Sequence, residues 1–229
     1  MLLVFLACIV VSCEKITNAK LVNSATTGKL SYKIVDDEGK GLSAVRVSVY
    51  KYISNSEGIN FDSSTLIDTV RTDENGVAMF SELFPENYLL VTDSPMVNKV
   101  KYNTREFVQV VAGLEKEKVT KASEFSGSLR IVLTSNLDYR TLLSNTGVAA
   151  IPYDTQYISS DVKGYAERAV ITGITNDQGL VVLKIPSNVP YYIMVYRLDK
   201  GIIDYWFDSY MLEKGASSLV KLYLSPVNQ

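Results

Sequence analysis

The sequence predicts an all-β chain made of two tandem antiparallel β-sandwiches. Three observations support this prediction. From Lys29 onward apolar residues alternate with polar ones, turn-forming residues separate the alternating segments, and one pattern of turns and strands occurs twice. No stretch beyond Lys29 has the longer period of an amphipathic helix. With 229 residues, the chain is long enough for two domains that each bury a core.

The N-terminal segment precedes these strands and reads MLLVFLACIVVS. Its apolar run is shorter than the about 20 residues that a membrane-spanning helix needs, and it suits the hydrophobic region of a signal peptide. The tetrapeptide Val10-Val11-Ser12-Cys13 resembles the lipobox of bacterial lipoproteins. That resemblance implies cleavage before Cys13 and attachment of lipid to Cys13, which makes palmitate a predicted modification. Residues 1–12 are therefore predicted to be a signal peptide, and residues 13–28 a lipidated, polar tether.

An alternative for this segment stays open. A signal peptide normally begins with Lys or Arg, and here only the amino group of Met1 is positive. Residues 1–12 could instead form a buried strand or helix of a cytosolic protein. Cys8 is a poorer candidate for lipidation than Cys13, because Phe5 takes the position where a lipobox has an aliphatic residue.

The charge of the chain is nearly balanced, with 23 Lys and Arg against 25 Asp and Glu and a net charge of −2. Nucleic-acid binding and adsorption to anionic membranes both leave a basic surface in the sequence, and this sequence has none. We therefore expect contact with the membrane through the lipid anchor alone, and no nucleic-acid partner.

Two residue types that enzymes use at neutral pH are scarce. The chain has no His, and its two cysteines, Cys8 and Cys13, both lie in the N-terminal segment. Ser-His-Asp and Cys-His catalysis, His-ligated zinc, disulfides and thiolate metal sites are thereby excluded from the folded region. Carboxylates, Ser, Lys and Tyr remain for catalysis. The prediction is a non-enzymatic protein without a cofactor or metal.

The internal repeat defines the predicted domains. The turn Thr72-Asp73-Glu74-Asn75-Gly76 has a counterpart 103 residues later in Thr175-Asn176-Asp177-Gln178-Gly179. The tyrosine strands at Tyr88 and Tyr191 keep that shift, and the segments ending at Gly113 and Gly215 match within one residue. We expect a first sandwich over residues 29–124 and a second, divergent copy over residues 125–229, joined near Ser123–Ser128.

Several strands of the first copy follow from alternation. Inward positions are predicted at Leu30, Tyr32 and Ile34 and again at Val45, Val47 and Val49. The segment 68–80 is predicted to be a hairpin whose turn is residues 72–76, because Asp and Asn favour turns and Gly supplies a positive φ. The insertions Ser54–Ser64, Ser94–Glu106 and Asp154–Lys163 are predicted to be polar loops.

The phrases of the first copy resemble those of a known group of modules. Residues 34–47 (IVDDEGKGLSAVRV), 72–76 (TDENG) and 83–88 (LFPENY) are similar to the carboxypeptidase-regulatory-like and Cna-B-like modules. The resemblance implies a transthyretin-like (prealbumin-like), Ig-like sandwich. It covers residues 28–122 well, and residues 128–226 only at the turn and tyrosine phrases. Ala44 departs from the pattern, because it stands near a position where those modules have Gly.

The Cna-B resemblance also bears on a covalent cross-link. Some of those modules join a Lys of the first strand to an Asn of the last strand, with help from a Glu on the tyrosine strand. The positions that match this Glu are Thr92 and Val195. Because the proton-shuttling carboxylate is missing there, the sequence predicts that the bond does not form.

Two acidic segments are candidates for binding. Asp73, Glu74 and Asn75 could ligate calcium, but they lack the alternating spacing of a calcium loop, and a turn is the simpler interpretation. In the second copy, a strand through Asp204, Trp206 and Asp208 would put these three residues on one face. An exposed Trp between carboxylates suits stacking on a sugar ring, whereas packing of Trp206 on the core is the structural alternative.

These expectations combine into one functional hypothesis with two alternatives. The favoured function is a non-enzymatic lipoprotein of the cell envelope, most simply in the outer membrane, that acts as a structural and interaction module with a protein partner. The alternatives are a glycan-binding accessory lipoprotein that uses Trp206 on a polysaccharide, and a pilus anchor or accessory subunit.

Overall fold

The strands of the computed structural model lie within residues 20–21, 26–51, 64–153, 164, 167–196 and 209–224, which are the residues the structure describes. In chain order they are β1 (Lys20–Leu21), β2 (Gly28–Val35), β3 (Arg46–Lys51), β4 (Thr65–Arg71), β5 (Val77–Leu83), β6 (Asn87–Thr92), β7 (Met96–Val97), β8 (Val100–Lys101), β9 (Arg105–Gln109), β10 (Leu114–Lys121), β11 (Ser126–Ser135), β12 (Gly147–Pro152), β13 (Ile171–Ile174), β14 (Leu180–Pro186), β15 (Tyr191–Tyr196), β16 (Ser209–Tyr210) and β17 (Ser217–Leu224). A single 3₁₀ turn at Ala122–Glu124 separates β10 from β11.

These strands form two β-sandwiches, which confirms the predicted fold class. In the first, a sheet of order β1-β10-β2-β5 faces a sheet of order β4-β3-β6-β9. In the second, β14-β11-β17 faces β13-β12-β15-β16, and β7 and β8 form a separate small hairpin. Each sandwich buries one main cluster of apolar side chains between its two sheets.

The alternation seen in the sequence places side chains in these cores. Leu30, Tyr32 and Ile34 of β2 are completely buried, and Val47 and Val49 of β3 face them from the other sheet. In the second sandwich Leu129, Ile131 and Leu133 of β11 occupy the corresponding layer. Because each such side chain contributes about 1.5–3 kcal/mol when buried, these strands supply much of the stability of each sandwich.

The terminal strands of each sandwich pair in parallel, which corrects the prediction of purely antiparallel sheets. Strand β2 pairs with β10 from Lys29↔Glu115 to Val35↔Lys121, and β11 pairs with β17 along its length. A parallel pair cannot be joined by a tight hairpin, because the chain must return to the same edge before it pairs. In both copies the intervening strands provide this return.

The turn at residues 72–76 links two sheets and is not a hairpin. Strand β4 lies in the sheet of β3, whereas β5 pairs with β2 in the opposite sheet. The hydroxyl of Thr72 fixes this crossing, because it donates to the Leu42 carbonyl at 2.6 Å and accepts the Val45 N–H at 2.9 Å. The turn residues were recognised from sequence, but the sheet that each flanking strand joins was not.

The second sandwich repeats this crossing bond for bond. The Thr175 hydroxyl donates to the Leu143 carbonyl at 2.7 Å and accepts the Thr146 N–H at 3.0 Å. Gly76 and Gly179 close the two turns with φ of 79° and 63°. A Cβ on Gly179 would lie 2.6 Å from the Leu133 carbonyl oxygen, so the close approach of two strands as well as the positive φ requires glycine there.

The segment Ser94–Glu106, predicted to be a loop, contains the β7–β8 hairpin and the start of β9. Its two central residues, Asn98 and Lys99, have φ of 50° and 65°, as a two-residue type I′ turn requires. The sequence signal for this hairpin is weak, because Lys99 stands where such turns normally have Gly. The other predicted loops, Ser54–Ser64 and Asp154–Lys163, lie outside the described residues apart from Ser64.

A short strand lies within the segment predicted to be a tether. Lys20 and Leu21 of β1 pair with Glu115 and Leu114 at the beginning of β10. The segment 13–28 is therefore attached to the first sandwich partway along its length.

Candidate functional site

The predicted lipidation site and the predicted sugar-stacking site lie outside the described residues. These are Cys13 at the N-terminus and Asp204, Trp206 and Asp208 in the second copy. Their roles stay predictions. The described residues contain three other features with functional geometry: a carboxylate network, the junction between the sandwiches, and a cleft beside that junction.

The acidic turn that could have ligated calcium uses its oxygen on the backbone. Asp73 Oδ1 accepts the N–H groups of Asn75 at 2.9 Å and Val77 at 2.8 Å. Asn176 makes the same two bonds in the second copy, to Gln178 at 2.9 Å and Leu180 at 3.0 Å. An amide serves as well as a carboxylate there, which favours the turn interpretation. Within the described ranges, no group of three or more Asp, Glu, His or Cys lies together as a metal site requires.

A carboxylate network joins the first strand to the last strand of the first sandwich. Glu106, which stands next to Arg105 at the start of β9, accepts the Tyr32 hydroxyl at 2.7 Å and the Thr120 hydroxyl at 2.5 Å, both at Oε1. Its other oxygen lies 3.0 Å from Lys118 Nζ, and the Glu106 side chain is 13% exposed. Burial raises the pKa of Tyr32 well above its ordinary value of 10.0, and the charge of Glu106 raises it further, so the phenol stays a proton donor.

This network corrects the expectation that the first sandwich lacks a buried carboxylate. The matching position on the tyrosine strand is indeed Thr92, whose hydroxyl bonds to that of Thr104 at 2.7 Å. The carboxylate comes instead from Glu106, in a segment predicted to be a loop. The inward position on the first strand is Tyr32, whereas Lys29 is exposed, and β10 (LEKEKVTK) has no Asn. Hydrogen bonds therefore join the terminal strands where a Lys–Asn cross-link would otherwise stand.

The junction between the sandwiches is short and buried. Ala122 and Phe125 have no exposed surface, and the hydroxyl of Ser123 donates to a carboxylate oxygen of Asp37 in the first sandwich. On the other side, the Phe125 carbonyl accepts the Ser187 N–H at 2.9 Å. The ammonium of Lys214 lies 3.7 Å from the centre of the Phe125 ring, a cation–π contact. Both sandwiches thus hold the junction in place.

A cleft of about 890 Å³ opens beside this junction, between the two sandwiches. One wall is the β7–β8 hairpin and the residues after it, including Lys99, Lys101 and Tyr102. The other wall comes from the end of β12 and the residues that lead into β13, including Ile151 and Arg168. Its volume falls in the range of sites for small molecules and short segments, about 300–1,000 Å³. Nothing in the sequence brings these two walls together, because they belong to different copies of the repeat.

Among the residues that the structure describes, no helix is long and apolar enough to cross a membrane.

Comparison with known proteins identified no family. No family model matches the chain, and no curated protein matches it. Among solved structures, the Bacillus anthracis TIE protein matches with 16% identity and a TM-score of 0.39 over 87% of this chain, which spans 34% of that protein. The minor pilin GBS52 of Streptococcus agalactiae matches with 12% identity, a TM-score of 0.38, and 89% and 98% coverage of the two chains. The shaft pilin SpaA of Lactobacillus rhamnosus GG gives 13%, 0.32, 89% and 99%. At these values the matches carry no argument about function.

Proposed function

We propose that this chain is a non-enzymatic, lipid-anchored protein of the cell envelope that serves as a rigid spacer and interaction module in a surface assembly. The observation that carries the proposal is the parallel pairing of the first and last strands in both sandwiches. A protein anchored at one end and attached to a partner at the other is pulled along its chain, and the terminal strands receive that force first.

The direction of the force decides how these strands separate. In the first sandwich, pulling draws β2 toward its N-terminal end and β10 toward its C-terminal end, so the two parallel strands slide past each other. Every hydrogen bond from Lys29↔Glu115 to Val35↔Lys121 is then stretched at once. In the second sandwich β11 and β17 have the same relationship. The buried junction transmits the force from one sandwich to the next with little slack.

Single-molecule pulling tests this mechanical role. The full chain, with Cys8 and Cys13 replaced by Ala, would be pulled from its two ends and, in a matched variant, through cysteines that replace Ser48 and Thr69. These two residues lie opposite each other on β3 and β4, so that pulling there opens a ladder bond by bond. We expect two unfolding events from the ends, at clearly higher force than in the matched variant, since forced unfolding follows the unfolding barrier. Equal forces in both directions would contradict the proposed role.

The lipid anchor has its own test. Cells that express the chain would be labelled with a fatty-acid probe. We expect label on the wild-type protein and on Cys8→Ala, and loss of label together with release from the membrane in Cys13→Ala. Label that persists in Cys13→Ala would remove the anchor from the proposal. Outer-membrane location would be read from fractionation of the same cells.

Two narrower functions are compatible with this proposal. A pilus subunit or pilus anchor is one form that such an assembly can take. Glycan binding through Trp206 is the other, and Trp206→Ala should then abolish retention on a polysaccharide column. Retention that is unchanged, or absent from the wild type, would exclude glycan binding through this residue.

A further inference from the structure

We propose that the cleft between the sandwiches binds an extended acidic segment of a partner protein. The proposal rests on the proposed function in taking the partner to be a protein. Three features of the cleft carry it: the charge of its rim, the aliphatic character of its walls, and a sheet edge that opens into it.

The rim of the cleft is positively charged. Lys99 and Lys101 lie exposed on the hairpin wall, and Arg168 adds a guanidinium on the opposite wall. Asp93 is the one carboxylate among the described lining residues, and Arg46 already neutralises it through a 2.6 Å ion pair. A ligand that carries carboxylates on both of its flanks would complement these walls.

The backbone at Lys99 supports a role for its side chain. Lys99 has φ of 65° at the tip of a two-residue turn, where glycine would adopt this conformation without strain. A long cationic side chain kept at such a position, directed by the hairpin to the rim, is better explained by binding than by folding.

The walls between the charges are aliphatic. Val100 comes from the first sandwich, while Ile151 and Val170 come from the second. Saccharide sites rely on flat aromatic faces and on clusters of carboxylates and amides, whereas such aliphatic walls suit the alternate side chains of a peptide. The charge selects an acidic ligand, and the walls favour a peptide over an acidic glycan.

A sheet edge supplies backbone groups at the cleft. Strand β13 begins at Ile171, which lines the cleft, and the sheet order β13-β12-β15-β16 places β13 at an edge. An extended peptide can add to such an edge by main-chain hydrogen bonds and direct alternate side chains into the cleft. Acidic residues at every second position would then face the cationic rim or the solvent.

Fluorescence anisotropy of a labelled peptide with four Glu-Val repeats tests the site on the full chain in detergent. We expect saturable binding that weakens as salt rises from 0.05 to 0.5 M, and no binding of the matched Gln-Val peptide. The double variant Lys99→Glu/Lys101→Glu should weaken binding about tenfold or more, because two attractions become repulsions. The control Lys184→Glu/Lys221→Glu makes the same change in net charge on the outer face of the second sandwich, away from the cleft, and should bind as the wild type does.

A second pair of variants tests the opposite wall. Val170 and Val182 are exposed to similar extents, 48% and 55%, but only Val170 lines the cleft. Val170→Glu should weaken binding severalfold, whereas Val182→Glu should not. Thermal unfolding of each variant should match the wild type, since all of these positions are at the surface.

Three results would overturn the proposal: no saturable binding, equal weakening by the cleft variants and their controls, or tighter and equally Lys99-dependent binding of polygalacturonate, which would make the ligand an acidic glycan. Each is distinguishable from failure of the proposed function. The pulling and lipid-labelling experiments do not involve the cleft, and binding in detergent requires no anchor.

Discussion

Tyr32 and Thr120, on the first and last strands of the first sandwich, donate their hydroxyls to the same oxygen of Glu106. The acceptor is carried by β9 in the opposite sheet, so one carboxylate joins both sheets as well as both terminal strands. Lys118 balances its charge from β10 at 3.0 Å. The arrangement stands at the pair of strands that the proposed pulling force would load first.

Loss of the shared acceptor should destabilise the first sandwich. In Glu106→Ala the buried hydroxyls of Tyr32 and Thr120 lose their partner, so we expect the free energy of unfolding to fall by about 2–3 kcal/mol. Chemical denaturation measures the change. Glu117→Ala removes an exposed carboxylate of β10 and is the matched control, with an expected effect below about 0.5 kcal/mol. Similar effects of the two substitutions would mean that the network contributes nothing of its own.

The same network predicts how stability depends on alkaline pH. The pKa of Tyr32 is raised in the folded state, so between pH 10 and its folded pKa the unfolded chain has lost a proton that the folded chain keeps. The stability that comes from this difference is fully present below pH 10 and falls above it, by up to about 1.4 kcal/mol per pH unit for one group.

Denaturation of Tyr32→Phe between pH 9 and 11.5 measures the contribution of this residue. We expect a slope shallower than that of the wild type by close to one proton, because Phe does not titrate. Tyr88 and Tyr102 also have raised pKa values through burial, so part of the slope should remain. Identical slopes in the two proteins would show that Tyr32 is not protected from ionisation in the folded state.

The turns that precede β3 and β12 contain a strained position in each copy. Ala44 has φ of 60° and Asn145 has φ of 52°, and their N–H groups donate to Thr72 and Thr175 at the same distance, 2.9 Å. Asn tolerates this conformation, whereas Ala does not. We expect Ala44→Gly to raise the free energy of unfolding by about 0.5–1 kcal/mol and Asn145→Ala to lower it by a similar amount. Opposite signs for the two substitutions are the essential result, and an unstable Ala44→Gly would contradict the assignment.

The repeated threonines should be worth similar amounts in both sandwiches. Thr72 and Thr175 are buried, and each hydroxyl makes one donated and one accepted bond to the backbone. Thr72→Val and Thr175→Val keep the shape but leave a carbonyl and an N–H unpaired, so each should cost about 1–3 kcal/mol. Thr69→Val, at an exposed position of β4, is the control. A large cost at only one of the two positions would mean that the crossings are not equivalent.

Much of the fold could be predicted from local patterns. Alternation located the inward residues of β2 and β3, and the repeated Thr turn indicated two copies, because both features depend on residues close together in the chain. The sheet partners of β4 and β5 could not be predicted, since a turn of this kind can connect two strands of one sheet or of two. The resemblance to known modules marked Ala44 as a glycine position, and the positive φ gives the physical reason.

The functional geometry was harder to predict from sequence. Glu106 lies in a polar insertion where no periodicity identifies an inward residue, and its partners are 74 and 14 positions away in the chain. The cleft depends on how the short junction orients the sandwiches, which involves Ser123 contacting Asp37 and Phe125 contacting Lys214. Pairings of this kind leave no local signal in a single sequence.

The pairing of β1 with the start of β10 has a consequence for position relative to the bilayer. With Cys13 lipidated as proposed, only residues 14–19 separate the anchor from Lys20, and six residues extend to at most about 22 Å. The beginning of β10 is therefore confined to a thin layer next to the headgroups. Because the second sandwich follows from the other end of β10, we expect it to face outward, with the first sandwich below it as a pedestal.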